Sequence, residues 1–127
     1  MNQKFADFFA IYKGTKMAVA VSGGVDSMCL LYWLHEVGAD ITCLHVNHKL
    51  RPEADTETEY VIDVCKKLNV PCHIFYWTDE KPEKGLEAAA REVRYKMMTD
   101  FCHENNIEYL LVAHQSDDQI ETFLMNL

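Results

Sequence analysis

Apolar and polar positions alternate along this chain in two different periods. Short apolar runs rich in β-branched residues predict strands, and longer segments with apolar positions three or four residues apart predict amphipathic helices. The predicted strands are 17–21, 41–46, 72–77 and 109–113, and the predicted helices are 2–12, 26–37, 55–68, 86–105 and 116 to the end.

This alternation of strands and helices predicts an α/β fold. The sheet should be parallel, with right-handed crossovers and helices on both faces. With 127 residues, 49% of them hydrophobic, the chain can bury one core and should form one domain. Ile120, Phe123, Leu124 and Leu127 follow a helical spacing and need a cover. We therefore expect a longer protein, interrupted before the last strand of its sheet.

Composition limits the functions of this segment. The formal net charge of −8 opposes a grip on nucleic acid by this segment alone. No run is long enough to span a bilayer and no signal peptide is recognisable, so we expect no membrane association. Five cysteines without a C-x-x-C pair indicate reduced thiols in the cytoplasm. Cys29 and Cys43, in a helix and a strand pattern, are expected to be buried.

A glycine pair lies where the first strand gives way to the next helix. Glycines there let successive backbone N–H groups converge on an anion, and the helix adds its positive end. The lysine of a P-loop and the third glycine of a dinucleotide fingerprint are both missing. We predict a phosphate or pyrophosphate cradle, against the alternative of a tight turn with a first-turn acid. Its residues are Ser22, Gly23, Gly24, Val25, Asp26 and Ser27.

Two further segments carry cations. His48 and Arg51 follow the second strand and could contact ATP phosphates or an acceptor backbone; a polar loop with His48 capping a turn is an equal alternative. Arg91 and Arg94 lie three apart on one helix and could hold a phosphate or carboxylate. The alternative for Arg91 is an ion pair with Glu87 on a solvated surface.

Acidic residues follow the fourth strand, which ends at His114. With Ser116 as N-cap of the last predicted helix, Asp117 and Glu121 are four apart and should share one face. The same sheet edge should hold Asp26, so a metal ion or a cationic substrate between these carboxylates would explain the clustered charge. The alternative is a set of acids favoured by the helix dipole.

Four blocks, taken in order, resemble the N-terminal catalytic domain of the tRNA(Ile)-lysidine synthetase family of PP-loop ATP pyrophosphatases. The resemblance implies a Rossmann-like sheet of the adenine nucleotide alpha hydrolase type. It also implies that residues 1–127 are an incomplete PP-loop catalytic domain whose tRNA-binding domains are absent. The blocks are residues 22–27, 45–51, 90–95 and 113–122.

The activity that this resemblance implies has two steps. ATP adenylates the 2-oxo group of the cytidine at the first anticodon position of a minor isoleucine tRNA, releasing pyrophosphate. The amine of free L-lysine then displaces AMP and gives lysidine. Residues 22–27 and His48 would bind ATP, and Asp26 and Asp117 would bind Mg²⁺. The implied catalytic residues are Asp26, Arg91, Arg94, His114, Asp117 and Glu121.

The chain departs from the family pattern at Gln115, where the family usually has a second histidine. Two other functions stay open. A PP-loop tRNA thiolase would need cysteines near the site, and no C-x-x-C is present. A non-catalytic module that binds ATP or AMP would keep the phosphate loop but would not need the arginines and acids. A homodimer is kept as an alternative to a monomer.

Overall fold

A computed structural model of the chain contains five strands and three helices in the part it describes. It describes residues 7, 10, 13–116 and 119–126, with side chains as far as Ala113 apart from a few near the start. Most of the helix predicted at 2–12 lies outside the described residues. The elements are β1 (Met17–Ala20), α1 (Val25–Glu36), β2 (Ile41–Asn47), α2 (Glu53–Leu68), β3 (Cys72–Tyr76), α3 (Leu86–Glu104), β4 (Tyr109–Ser116) and β5 (Gln119–Asn126).

The five strands form one sheet in the order β3-β2-β1-β4-β5. Strand β1 pairs in parallel with β2 on one side and β4 on the other, and β2 pairs in parallel with β3. The chain therefore reverses its direction of travel across the sheet beside β1. In such sheets the crevice at the carboxyl ends of the strands, at this reversal, is where ligands bind. The α/β class and the four parallel strands are confirmed.

Two apolar layers cover the two faces of the sheet. Parallel strands covered on both faces are buried at nearly every position, as β1 and β2 are here, although β2 also carries the polar residues Thr42, His45 and Asn47. Val19 and Cys43 belong to the layer that contains α1 and α2, whereas Ala18 and Leu44 belong to the layer that contains α3. Within the described ranges, the structure has no helix with the length and apolarity to cross a membrane.

The helix predicted from residue 116 is wrong. Residues Gln119–Asn126 form β5, which pairs antiparallel with β4 so that His114 lies opposite Glu121. Short segments such as the one that contains Ile120, Thr122 and Phe123 fit both the helical period and the strand period. Periodicity alone does not separate helix from strand in them. Pairing with β4 decides the matter, because an unpaired strand edge leaves backbone donors and acceptors without partners.

A buried histidine joins three of these elements. His45 of β2 is only 2% exposed. Its Nδ1 lies 2.6 Å from the Val21 carbonyl oxygen and its Nε2 lies 2.9 Å from the Thr58 hydroxyl on α2. A neutral ring satisfies both contacts, with Nδ1–H donating to Val21 and Nε2 accepting from Thr58. Val21 immediately precedes the predicted phosphate loop, so His45 fixes the point where that loop leaves the sheet.

This burial makes stability depend on pH. Desolvation lowers the pKa of His45, against smaller opposing effects of the Val21 hydrogen bond and the charges of Glu57 and Cys65. The unfolded chain therefore takes up a proton that the folded chain does not, and stability is lost as pH falls below about 6.5. Chemical denaturation between pH 8 and 5 should show a slope of up to about 1.4 kcal/mol per pH unit from this group.

The variant His45→Gln tests the assignment. It should remove that part of the slope and cost about 1–3 kcal/mol, because the Val21 carbonyl loses its donor inside the core. His35→Gln, at an exposed position of α1, is the control and should change neither quantity. An unchanged pH slope in His45→Gln would contradict the assignment.

Candidate active site

The phosphate loop, residues 22–27, is held in shape by its two serines. The Ser22 N–H donates to Ser27 Oγ at 3.1 Å, and the two hydroxyl oxygens lie 3.2 Å apart. Ser27 donates to the Gly24 carbonyl at 3.1 Å, and the Gly24 N–H donates to Ser22 Oγ at 3.3 Å. Gly23 has a φ of +95°, a conformation that favours glycine. The two serine side chains therefore stabilise the conformation of the loop by hydrogen bonds to its own backbone.

Helix α1 begins directly at this loop without a side-chain cap. Its N-cap is Gly24, and no side-chain hydrogen bond caps this end. The first N–H groups of a helix have no partner within the helix, so they are available to an anion. A cavity of about 370 Å³ opens here, lined by Ser22, Gly24, Val25, Asp26, Ser27 and Ala113. The cradle and the Asp26 carboxylate thus share one cavity, as the sequence predicts.

A second, larger cavity adjoins the loop and has a volume of about 500 Å³. Ala20, Val46 and Ala113 line it from the ends of β1, β2 and β4, so it lies at the sheet edge expected for ligands. Its volume falls within the range of small-molecule sites. The charged and polar side chains in its wall include His48, Arg51, Glu57, Glu87, Arg91 and Arg94.

His48 lines this cavity and has one ring nitrogen without a partner. Its ring packs edge-on against Trp77, with centroids 5.9 Å apart, and its Nε2 is buried without a hydrogen-bond partner. Burial lowers the pKa of His48, the charge of Arg94 lowers it further, and a backbone hydrogen bond at Ala90 acts in the opposite direction. The lowered pKa favours the neutral ring, in which a nitrogen without a proton is a hydrogen-bond acceptor.

The two arginines of α3 surround one aromatic ring. The guanidinium carbons of Arg91 and Arg94 lie 5.7 Å and 5.1 Å from the centroid of Tyr95. Arg94 Nε is buried without a partner. Among the ion pairs of the described residues none joins Arg91 to Glu87, so the surface alternative is not what the structure contains. Both arginines line the cavity, and guanidinium groups are good hydrogen-bond donors to phosphate and carboxylate.

The segment after β2 carries a polar network that the sequence reasoning missed. Asn47, 2% exposed, donates to Asp55 at 2.9 Å and accepts from the Lys49 N–H at 2.9 Å. Lys49 also pairs with Asp55 at 2.8 Å, which with the Asn47 bond lowers the pKa of Asp55. Arg51 pairs with Glu57 at 3.2 Å in the cavity wall. An asparagine and an aspartate eight residues apart carry no recognised pattern in sequence.

The structure brings most of the predicted residues together. The two adjoining cavities are lined by Ser22, residues 24–27, His48, Arg91 and Arg94, and Gly23 lies in the same loop without lining either cavity. The prediction that Asp117 and Glu121 share one face of a helix is wrong, because Glu121 lies on β5 opposite His114. Asp117 lies outside the described residues, and the side chains of His114 and Glu121 are not described. Their catalytic roles stay predictions.

A phosphate loop after the first strand, with a cavity across the carboxyl ends of a parallel sheet, defines a nucleotide-binding α/β protein. Comparison with known families agrees. A family model described as the PP-loop domain matches residues 1–127. The chain belongs to the PP-loop family, which binds ATP.

Its curated relatives include proteins named tRNA(Ile)-lysidine synthase. One from Wolbachia sp. subsp. Brugia malayi (strain TRS) is 40% identical over 131 residues, covering 98% of this chain and 30% of the relative. One from Streptococcus equi subsp. zooepidemicus (strain H70) is 42% identical over 113 residues, covering 86% of this chain and 26% of the relative. The resemblance drawn from the four sequence blocks is confirmed. The chain spans less than a third of the length of these relatives.

Solved structures show the same fold. The U34-tRNA thiolase NcsA from Methanococcus maripaludis with its [4Fe-4S] cluster gives a TM-score of 0.73 at 19% identity, covering 84% of this chain and 40% of that one. The NH3-dependent NAD synthetase from Campylobacter jejuni, in complex with the nitrate ion, gives a TM-score of 0.63 at 17% identity. The match covers 87% of this chain and 52% of that one. The adenine nucleotide alpha hydrolase-like fold class is confirmed.

The conformation of Gly23 supplies a test of the loop. Gly23→Ala places a side chain at a φ of +95°, which costs about 1–2 kcal/mol. Relief of this strain should move the loop out of its anion-binding conformation, so ATP affinity should fall roughly tenfold. Calorimetric titration with ATP measures this change.

Gly38→Ala is the matched control. Gly38 also has a positive φ, +79°, and open space around its Cα, so its stability cost should be similar. Its ATP affinity should stay that of the parent chain. Equal affinities in the two variants would argue against residues 22–27 as the phosphate site.

Proposed function

We propose that this chain is the ATP-using part of a tRNA(Ile)-lysidine synthase. The similarity to proteins of that name over almost the whole chain carries the proposal. The geometry supports it, because the phosphate loop adjoins a cavity lined by His48, Arg91 and Arg94.

The phosphates of ATP are assigned to residues 22–27. The backbone N–H groups at the start of α1 and the Ser22 hydroxyl face the smaller cavity, and the Arg91 and Arg94 guanidinium groups lie across the larger one. His48 Nε2 can accept only from a donor, such as a ribose hydroxyl or the amino group of a base. The proposal therefore assigns the nucleoside to the larger cavity, on the side of His48.

Magnesium is part of this proposal. The Asp26 carboxylate lies beside the phosphate cradle, and carboxylate oxygens together with phosphate oxygens are the ligands that Mg²⁺ prefers. Asp117 is the second ligand predicted from the sequence. A bound Mg²⁺ would neutralise charge on the departing pyrophosphate.

The proposed reaction has two displacements. The cytosine O2 attacks the α-phosphorus of ATP, the bond to the bridging oxygen breaks, and pyrophosphate leaves. An amine nitrogen of free L-lysine then attacks the cytosine C2, the C2–O bond breaks, and AMP leaves. Adenylation matters because it turns a carbonyl oxygen into a leaving group. Arg91 and Arg94 are proposed to hold the phosphate, and His114, Asp117 and Glu121 to orient the lysine and receive its proton.

The charge of the chain bears on how tRNA binds. A net charge of −8 opposes contact with a polyanion, so the proposal assigns the main grip on tRNA to segments that the longer relatives carry. A cytoplasmic location is also proposed, in keeping with five free cysteines. A homodimer is the proposed alternative to a monomer, and analytical sedimentation would distinguish the two.

Lysine transfer tests the function directly. The full-length protein is incubated with ATP, Mg²⁺, labelled lysine and a tRNA(Ile) transcript whose anticodon begins with cytidine. Labelled RNA should appear with one AMP and one pyrophosphate per lysine, and a transcript with uridine at that position should stay unlabelled. ATP binding without transfer would favour the nucleotide module, and transfer of sulfur would favour the thiolase.

Two acid variants test the predicted lysine site. Asp117→Asn and Glu121→Gln should reduce lysine transfer roughly 10²-fold, as expected when charged groups that act in the transition state are neutralised. Glu121→Gln, which removes no proposed Mg²⁺ ligand, should keep an ATP affinity close to that of the parent. Asp100→Asn is the control, because Asp100 pairs with Lys96 on the exposed face of α3. Unchanged transfer in both acid variants would refute the assignment of the lysine site.

A further inference from the structure

Three cysteines from three different elements meet inside the protein. Cys43 lies on β2, Cys65 on α2 and Cys72 on β3, and their sulfur atoms all lie within 4.8 Å of one another. Cys43 and Cys72 are register partners on neighbouring strands. All five cysteines of the chain are free thiols. The three sulfurs converge although 22 and 7 positions separate the cysteines in sequence (43 to 65, and 65 to 72).

This thiol cluster is separate from the nucleotide site. Cys43 and Cys65 belong to the apolar layer under α1 and α2, with Cys72 packed against it. Of the side chains that line the two cavities, none is a cysteine. The reaction proposed above therefore does not use these thiols.

The cluster offers three convergent sulfur ligands to a cation. Cys43 and Cys65 are buried and Cys72 is partly exposed, and the three sulfurs lie close enough together to bind one ion. A thiolate is the form of cysteine that binds metal ions, so binding would displace the thiol protons. The geometry therefore favours a soft, thiophilic ion.

We propose that Cys43, Cys65 and Cys72 form a three-coordinate binding site for a soft, thiophilic d¹⁰ cation of the Cu(I) type. A metal–sulfur bond of about 2.3 Å places three coplanar thiolates about 4 Å apart. The observed separations need only small side-chain rotations to reach that value. Cys72 is partly exposed and lies on the edge strand β3, which gives an ion a route to the two buried sulfurs.

The surroundings favour three ligands over four. The nearest imidazole on the same strand, His45, already uses Nδ1 on Val21 at 2.6 Å and Nε2 on Thr58 at 2.9 Å. Soft thiolate ligands suit Cu(I), zinc and iron–sulfur clusters, but structural zinc is almost always four-coordinate, so three ligands favour Cu(I). The corners of a [4Fe-4S] cube spread their cysteine sulfurs further apart than this cluster does.

Binding should stabilise the fold. Each thiol that coordinates as thiolate releases its proton to solvent, and the ion then links α2 to β2 and β3. Thr58 lies on the same face of α2, two turns before Cys65, and holds His45. An occupied cluster would therefore also stiffen the support of the phosphate loop. Because an ion that binds only the folded state stabilises it, the midpoint of thermal unfolding should rise.

The test is a titration of the reduced protein, without oxygen, with Cu(I) supplied by a chelator of known affinity. One ion should bind per chain, and X-ray absorption should count three sulfurs around it. Cys65→Ala and Cys72→Ala should each weaken binding by about 100-fold or more, since loss of even an outer partner of a metal ligand costs 10–100-fold.

Cys29→Ala and Cys102→Ala are the controls. Cys29 is exposed on α1, and Cys102 is buried in the opposite layer of the core, so both variants should bind as the parent does. Cys72 is partly exposed, which makes Cys72→Ala the variant best able to fold. A sulfur count other than three in the parent, or equal affinity in Cys72→Ala and the controls, would overturn the proposal.

Discussion

The imidazole of His45 holds the functional end of the sheet to its core. Because the ring is buried and neutral, one nitrogen can donate to the Val21 carbonyl while the other accepts from Thr58. These two bonds tie the last residue before the phosphate loop to β2 and α2. The loop itself contributes little packing, and its serines bond mainly to one another and to Gly24. The position of the phosphate loop therefore depends on the hydrogen bonds of His45.

The cavity at this end of the sheet gathers three of the cations of an acidic chain. The chain carries a net charge of −8, yet Arg51, Arg91 and Arg94 line the cavity beside an uncapped helix end, together with Glu57 and Glu87. Buried polar atoms without partners are rare in folded proteins and need an explanation. Here they belong to His48 and Arg94. A bound nucleotide would explain why Arg91 and Arg94, which make no ion pair among the described residues, stand beside the phosphate loop.

Sequence alone predicted whatever depends on local pattern. The strands β1 to β4 and their helices follow from periodicity, and residues 22–27 follow from glycine chemistry at a strand–helix junction. Residues 119–126 form a strand because they pair with β4, and local sequence patterns do not show such pairing. Cys29 was expected inside and is exposed, because its helix turns that position away from the sheet. The convergence of Cys43, Cys65 and Cys72 required the tertiary fold, as did the Asn47 network.

The central claim is that ATP occupies the cavities at the carboxyl ends of β1, β2 and β4. A crystal structure of the protein with a non-hydrolysable ATP analogue and Mg²⁺ tests it most directly. The account predicts the phosphates against the backbone of residues 22–27, the metal at Asp26, and a donor group of the nucleoside on His48 Nε2. An analogue bound elsewhere, or bound with its phosphates away from this loop, would contradict the account.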